Sequence, residues 1–157
     1  MHLLKSIDDC VQWRKAQKQT LGLIPTMGAL HEGHLSLVRL SQNSCDKTIV
    51  SIFLNPTQFA ENEDLGSYPS TINEDLAKLR KESIDAVFMP TASEMYKKNQ
   101  NNYWFDTPLS LKLEGKSRPL FFKGVTMIVH KLFKIVQPTH TVFGQKDAQQ
   151  LLIIEEM

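Results

Sequence analysis

The sequence predicts an α/β fold, a parallel sheet carrying helices on both faces. Three observations predict it. Short runs of aliphatic and β-branched residues alternate with segments of helical periodicity, the pattern of parallel strands joined by crossover helices. The clearest run, Lys47 to Leu54, is apolar without alternation at Ile49, Val50, Ile52 and Phe53, as a strand covered on both faces requires. A polar, glycine-containing segment, Pro25 to His34, follows a strand and opens a helix, at the carboxyl end of the sheet where such folds bind ligands.

In chain order, Asp8 to Gln19 reads as a short polar helix anchored by Val11 and Trp13. Leu21 to Pro25 is a buried strand. Leu35, Leu37, Val38 and Leu40 then mark a helix from about Gly33 to Asn43. The strand from Lys47 ends at Asn55-Pro56, because the residue before a proline is driven towards extended backbone. Ala60 to Ser70 is a polar loop, and Thr71 with Glu74 predicts a capping box for a helix carrying Ile72, Leu76 and Leu79. Asp85 to Met89 is a short strand closed by Pro90, and Asn99 to Asn102 an exposed loop. The strongest periodic signal runs from about Gly124 to Val136, with apolar residues three and four apart, until Pro138 stops it. Thr141 to Phe143 is the last strand, and Gly144 to Asp147 leads into a final helix.

The 157 residues fit one domain with a sizeable core, and hydrophobic and charged fractions of 41% and 22% are ordinary for a globular chain. A net charge of +1 gives no general attraction to nucleic acid or to an anionic membrane, so neither is expected as a partner. Any phosphate chemistry must use locally placed cations. Cys10 and Cys45 show no CxxC or scaffold spacing, which fits a reduced, cytoplasmic setting. No apolar run has the length of a membrane span, and Met1 to Asp9 lacks a signal-peptide core.

Three segments leave the best strands: Thr26 to His34, Asn55 to Phe59, and Gly144 to Gln150. All are polar or glycine-containing and are expected to converge on one crevice. His31 and His34 sit at a helix start, whose unpaired N–H groups and dipole attract anions, while Gly28 and Gly33 let a ligand approach the backbone. The imidazoles are then placed to bind phosphate oxygens as charge builds on them. On the residues alone, a solvated surface pair and a metal site stay open. The metalloprotease spacing is one residue longer, and no cysteine or third histidine is placed to complete a zinc set. His2, His130 and His140 read as structural or surface residues.

The motifs PTMGALHEGHLSLV at 25–38, SIFLNPTQF at 51–59, EGKSRP at 114–119 and FGQKDAQQL at 143–151, the last preceded by KLFKIVQP at 131–138, run in this order through nearly the whole chain. Together they resemble the pantoate–β-alanine ligases. The resemblance implies a Rossmann-like sheet of the HxGH nucleotidyltransferase type. It also implies ATP-dependent joining of pantoate to β-alanine through a pantoyl-adenylate, with Mg²⁺ as cofactor and its ligands unassigned. On this resemblance His31, His34 and Lys146 are the catalytic residues. ATP is held by Pro25, Thr26, Met27, Gly28 and Gly33 on one side and by Gly144, Lys146 and Asp147 on the other. Asp147 is directed to the ribose or to a Mg²⁺-bound water. Met27, Phe53, Asn55, Gln58 and Gln150 form the pantoate site, where neutral amides suit a polyhydroxy acid because they both donate and accept. Arg118 is either a phosphate contact or part of a turn set by Pro119. A cytoplasmic homodimer is implied as well.

The chain departs from the family at Phe121, where histidine is usual, at Ala148, where tyrosine is common, and at Ser70, where arginine is frequent. The family continues into a second domain whose lysine- or serine-rich loop closes over the phosphates. Residues 1–157 are therefore expected to be the N-terminal ATP- and pantoate-binding domain alone, poorly active without that lid. The HxGH motif by itself also fits another nucleotidyltransferase, or a catalytically incomplete nucleotide-binding or dimerisation module. Neutral Gln58 and Gln150 argue against a phosphorylated acceptor, which calls for extra Arg or Lys there.

Overall fold

The computed structural model describes residues 1–58, 71–97 and 102–157. The loop expected at 60–70, with Ser70, lies outside them, as do Phe59 and all of the 99–102 run except Asn102, which is half-buried. The described strands are β1 (His2–Leu4), β2 (Leu21–Thr26), β3 (Lys47–Ile52), β4 (Ala86–Phe88) and β5 (His140–Thr141). They form one sheet in the order β1-β4-β3-β2-β5, every pair parallel. The helices are α1 (Ile7–Lys15), α2 (Glu32–Ser44), α3 (Ile72–Lys81), α4 (Ala92–Met95), α5 (Glu114–Ser117), α6 (Phe121–Val136) and α7 (Ala148–Glu156).

Successive strand side chains point to opposite faces, so an unbroken apolar strand feeds two cores at once. Leu21, Leu23, Ile49 and Phe88 pack with Cys10 of α1, the apolar stripe of α6 and Ile154 of α7. Ile24, Val50, Ile52 and Val87 meet Val38 of α2 with Leu76 and Leu79 of α3. The predicted fold class stands.

Several boundaries shift for identifiable reasons. Ser6 and Asp9 make a reciprocal cap at the start of α1, and the helix ends at Lys15 rather than running to Gln19. Its buried anchor is Cys10, not Val11, while Trp13 packs at the edge of the core. The capping box expected at Thr71 and Glu74 is not formed. Thr71 instead donates its hydroxyl to Asp75 Oδ2 at 3.1 Å, because that carboxylate is already recruited into the core. The last strand is His140–Thr141 rather than 141–143: Val142 still donates to Leu23, and the chain then turns so that Phe143 faces a cavity. α6 begins at Phe121, a turn early, and ends on Gln137 in the left-handed conformation (φ 46°) just before Pro138.

One contact of α6 bears on function. Its Gly124 lies against the 3₁₀ turn Pro56–Gln58 that leaves β3. A Cβ at Gly124 would stand 2.6 Å from the Thr57 carbonyl carbon and 2.7 Å from the Gln58 nitrogen, and closer still to the Thr57 oxygen. Helix and turn meet backbone to backbone.

Candidate active site

β2 and β3 run in register from Leu21 against Lys47 to Thr26 against Ile52, so their carboxyl ends finish together. A cavity of about 680 Å³ opens there, within the roughly 300–1,000 Å³ typical of small-molecule sites. Met27 and His34 from the turn after β2, Asn55 and Gln58 from the turn after β3, and Lys146 and Gln150 from the segment after β5 line it together. Pro25, Thr26, Phe53, Asp147 and Arg118 also reach it. Gly28, His31, Gly33 and Gly144 lie outside its wall. The opposite wall is the apolar stripe of α6, including Phe122, Val125 and Val129.

The two histidines have different surroundings. His31 is exposed and caps α2, its Nδ1 accepting the Gly33 amide at 3.1 Å. The helix start thus offers fewer open amides than the sequence suggested, since the protein's own imidazole occupies one. His34 is half-buried, its ring centroid 4.2 Å from that of His31. Its Nδ1 accepts the His31 amide at 3.4 Å, which places the proton of the neutral ring on Nε2, as a donor. Burial first, then the neighbouring His31 and Lys146 charges, hold the His34 pKa below its ordinary value, against an opposing pull from Asp75. His34 is therefore a neutral donor near pH 7.

On the β3 side, Asn55 is 1% exposed and its polar atoms are all engaged. It donates to Gln58 Oε1 at 3.0 Å and to the Gly124 carbonyl at 3.1 Å, and it accepts from Tyr96 at 2.6 Å and Thr57 Oγ1 at 2.9 Å. Asn55 thus organises the turn, and Gln58 faces the cavity. The Gln58 amide nitrogen rests 3.0 Å from the Met27 sulfur, a weak acceptor that any ligand oxygen outcompetes. Gln150 lines the cavity with no hydrogen-bond partner among the described residues. Its neighbour Gln149 is spent on the Leu109 and Lys112 carbonyls, at 2.9 and 2.7 Å.

Arg118 bridges the two walls. It donates to the Gln58 carbonyl at 3.2 Å, pairs with Glu114 at 3.3 Å, and stacks 4.2 Å above the Phe121 ring. Phe121 therefore supplies Arg118 with a cation–π platform. Lys146 and Asp147 sit at the mouth, 3.6 Å apart, with side chains 89% and 60% exposed. Such a pair holds itself only weakly, so the lysine is available to an anion. Among the described residues no three His, Cys, Asp or Glu side chains cluster as a metal site, and no described helix is long and apolar enough to cross a membrane.

Sequence reading missed the supports: Tyr96, Gly124, Glu114, and above all Asp75 and Lys78 on α3, which grip the turn before His31. Tyr96, Gly124, Asp75 and Lys78 carry no local signal, because each acts on residues distant in sequence, whereas Glu114 acts on Arg118 only four residues on. His130 stacks on Tyr103 at 4.5 Å, on the side of α6 away from the cavity, and His2 and His140 are exposed.

The sequence model of the family described as pantoate-beta-alanine ligase matches residues 2–157. The chain is 50% identical over 161 residues to the pantothenate synthetase of Pseudothermotoga lettingae and 47% identical over 161 to that of Syntrophomonas wolfei. In both cases all of this chain is covered but only 57% of the relative. Among solved structures, the pantothenate synthetase of Thermus thermophilus superposes with a TM-score of 0.93 at 36% identity, over 99% of this chain and 56% of that one. A pantoate-beta-alanine ligase from Francisella tularensis, in complex with beta-gamma ATP and beta-alanine, gives 0.94 at 36% identity, over 99% and 61%.

Proposed function

The chain belongs to the pantoate-beta-alanine ligase family, and on that footing we propose that it is the ATP- and pantoate-binding N-terminal domain of an ATP-dependent ligase. The pantoate carboxylate attacks the α-phosphorus of ATP and pyrophosphate leaves. The β-alanine amine then attacks the acyl carbon of the adenylate, AMP leaves, and the amine gives up a proton. Neither step needs a protein nucleophile. Positioning and stabilisation of phosphate charge are what the residues must supply.

One observation carries the reading: neutral amides and cationic or donor groups line a single cavity. Gln58 and Gln150 offer hydrogen bonds to the hydroxyls and carboxylate of pantoate, and the α6 stripe accepts its methyl groups. His34, with its Nδ1 already occupied by the His31 amide, keeps Nε2–H for a phosphate oxygen, and Lys146 lines the same cavity as its ammonium partner. His31, exposed beside them, reaches phosphate from outside the cavity wall, and Pro25, Thr26 and the backbone of Gly28, Gly33 and Gly144 complete the nucleotide side. Asn55 serves by fixing Gln58, and Phe53 closes the floor. Mg²⁺ fits this donor set as an ion held mainly by phosphate oxygens and water, with Asp147, beside Lys146 at the cavity, able to reach it through water; it would neutralise the polyphosphate. Cytoplasmic location and homodimerisation belong to the same proposal.

Calorimetric titration of pantoate into the chain, with a non-hydrolysable ATP analogue present, tests the assignment. Pantoate binds and phosphorylated hydroxy acids do not. Saturation by the analogue without any pantoate binding would leave only a general nucleotidyltransferase.

A further inference from the structure

Taking the nucleotide reading above as its footing, we infer that Asp75 and Lys78 of α3 are positioning residues, which set the His31–His34 turn for phosphate from behind. The turn needs such a hold. Gly28 has φ +86° and Ala29 φ +51°, two successive left-handed residues, the second carrying a Cβ that disfavours that conformation. Consecutive amides in such a turn form a concave nest for an anion. Here the anion belongs to the protein. Asp75 Oδ2 accepts the Ala29 amide at 2.9 Å and Oδ1 accepts the Leu30 amide at 2.8 Å. One helical turn on, Lys78 Nζ donates to the Leu30 carbonyl at 2.6 Å.

The cost of this arrangement points to a purpose. Asp75 is 1% exposed, and no salt bridge pairs it with a cation among the described residues. A buried carboxylate is tolerated only where charge-assisted hydrogen bonds compensate it, and three converge here, the third from Thr71 Oγ1. A helix that only had to cover the sheet would place an apolar residue at this position, as α3 does with Leu76 and Leu79. Leu30, gripped at both its amide and its carbonyl, is itself 2% exposed and leads directly into His31. Movement of that peptide carries both imidazoles with it.

Asp75→Asn keeps the shape but sets a carboxamide NH₂ against one of the two backbone donors. Lys78→Met removes the other grip. Wild-type chain and both variants are titrated calorimetrically with α,β-methylene-ATP and, separately, with adenosine, and the His31 and His34 ring resonances are recorded by NMR. The expected result is at least a tenfold loss of analogue affinity for Asp75→Asn and about threefold for Lys78→Met, with adenosine affinity within twofold of wild type. Equal losses for both ligands, or analogue affinity within twofold of wild type in both variants, overturns the inference. If Asp75→Asn does not fold, Lys78→Met decides by the same split. If the wild type binds no nucleotide, the ligase reading fails separately. The ring resonances then still decide, since unchanged shifts in the variants rule out a positioning role.

Discussion

Gly124→Ala separates packing from propensity, because the two predict opposite signs. In a helix interior, replacing glycine with alanine stabilises by about 0.8–1 kcal/mol where nothing stands in the way. Here the new Cβ would lie 2.7 Å from the Gln58 nitrogen, whereas ordinary contact begins at 3.4 Å. The Thr57 carbonyl carbon, at 2.6 Å, is nearer still, so α6 and the Pro56–Gln58 turn must part by at least about 0.8 Å (3.4 less 2.6), and all three opposing atoms at the contact are backbone, which cannot rotate aside. Overpacking of this kind costs about 1–3 kcal/mol, and loosening the Asn55 bond to the Gly124 carbonyl adds about 1 kcal/mol. The net is a destabilisation of about 1–3 kcal/mol, with Tm lowered roughly 2–4 °C per kcal/mol in a chain of this size. The Gln58 side chain moves with its turn, so pantoate affinity falls by about an order of magnitude. Urea unfolding followed by circular dichroism reads the first effect and calorimetry the second. A variant more stable than wild type would refute the backbone contact and, with it, the account of how Gln58 is placed.

Three other expectations follow from the site and the core. Because the folded His34 pKa lies below its ordinary 6.5, the unfolded chain binds the proton more readily, so stability falls as pH drops from 6.5 through the folded value. Urea midpoints between pH 7.5 and 5 should show this, and a slope no smaller in His34→Gln would assign it elsewhere. Phe121→Leu removes the platform under Arg118, worth about 0.5–1 kcal/mol, and should weaken pantoate roughly two- to fivefold; unchanged affinity would disconnect Arg118 from the substrate. Ser51 Oγ is buried without a hydrogen-bond partner among the described residues, so Ser51→Ala should stabilise the fold by about 1 kcal/mol, and a lowered Tm would count against that placement.

The sheet was legible because burial on both faces writes itself into Ile49-Val50 and Leu23-Ile24 as continuous apolar sequence, and α6 because its stripe repeats at helical spacing. Much of the candidate site was legible too, through glycines, histidines and amides at strand ends. β1 was not: a three-residue edge strand containing His2 has too little pattern to read, and it exists only because Ala86–Phe88 is there to pair with it. The short helices α4 and α5 escaped for the same want of length. Thr71 illustrates a different limit. Its hydroxyl had a local partner on paper and a better one in space, since Asp75 had already been drawn inward by amides 45 and 46 residues away. Asn55 inverts the lesson, for a residue expected to touch substrate proves to spend every polar atom on neighbours.

The strand order β1-β4-β3-β2-β5 has a consequence for the order in which the molecule is made. During synthesis β2 and β3 emerge with α2 between them and can pair early, and β4 extends the same growing edge. β1, first out, must wait for Ala86–Phe88, and β5 adds to the far side only after α6 is complete. Contacts of long sequence separation form late, because loop closure comes before any gain from burial. The imidazole turn can thus be held by α3 well before Lys146 and Gln150 exist. The nascent chain passes through a stage with half its cleft built and the outer edge of β2 unpaired, a stretch of exposure to aggregation that ends only when α6 and β5 are in place.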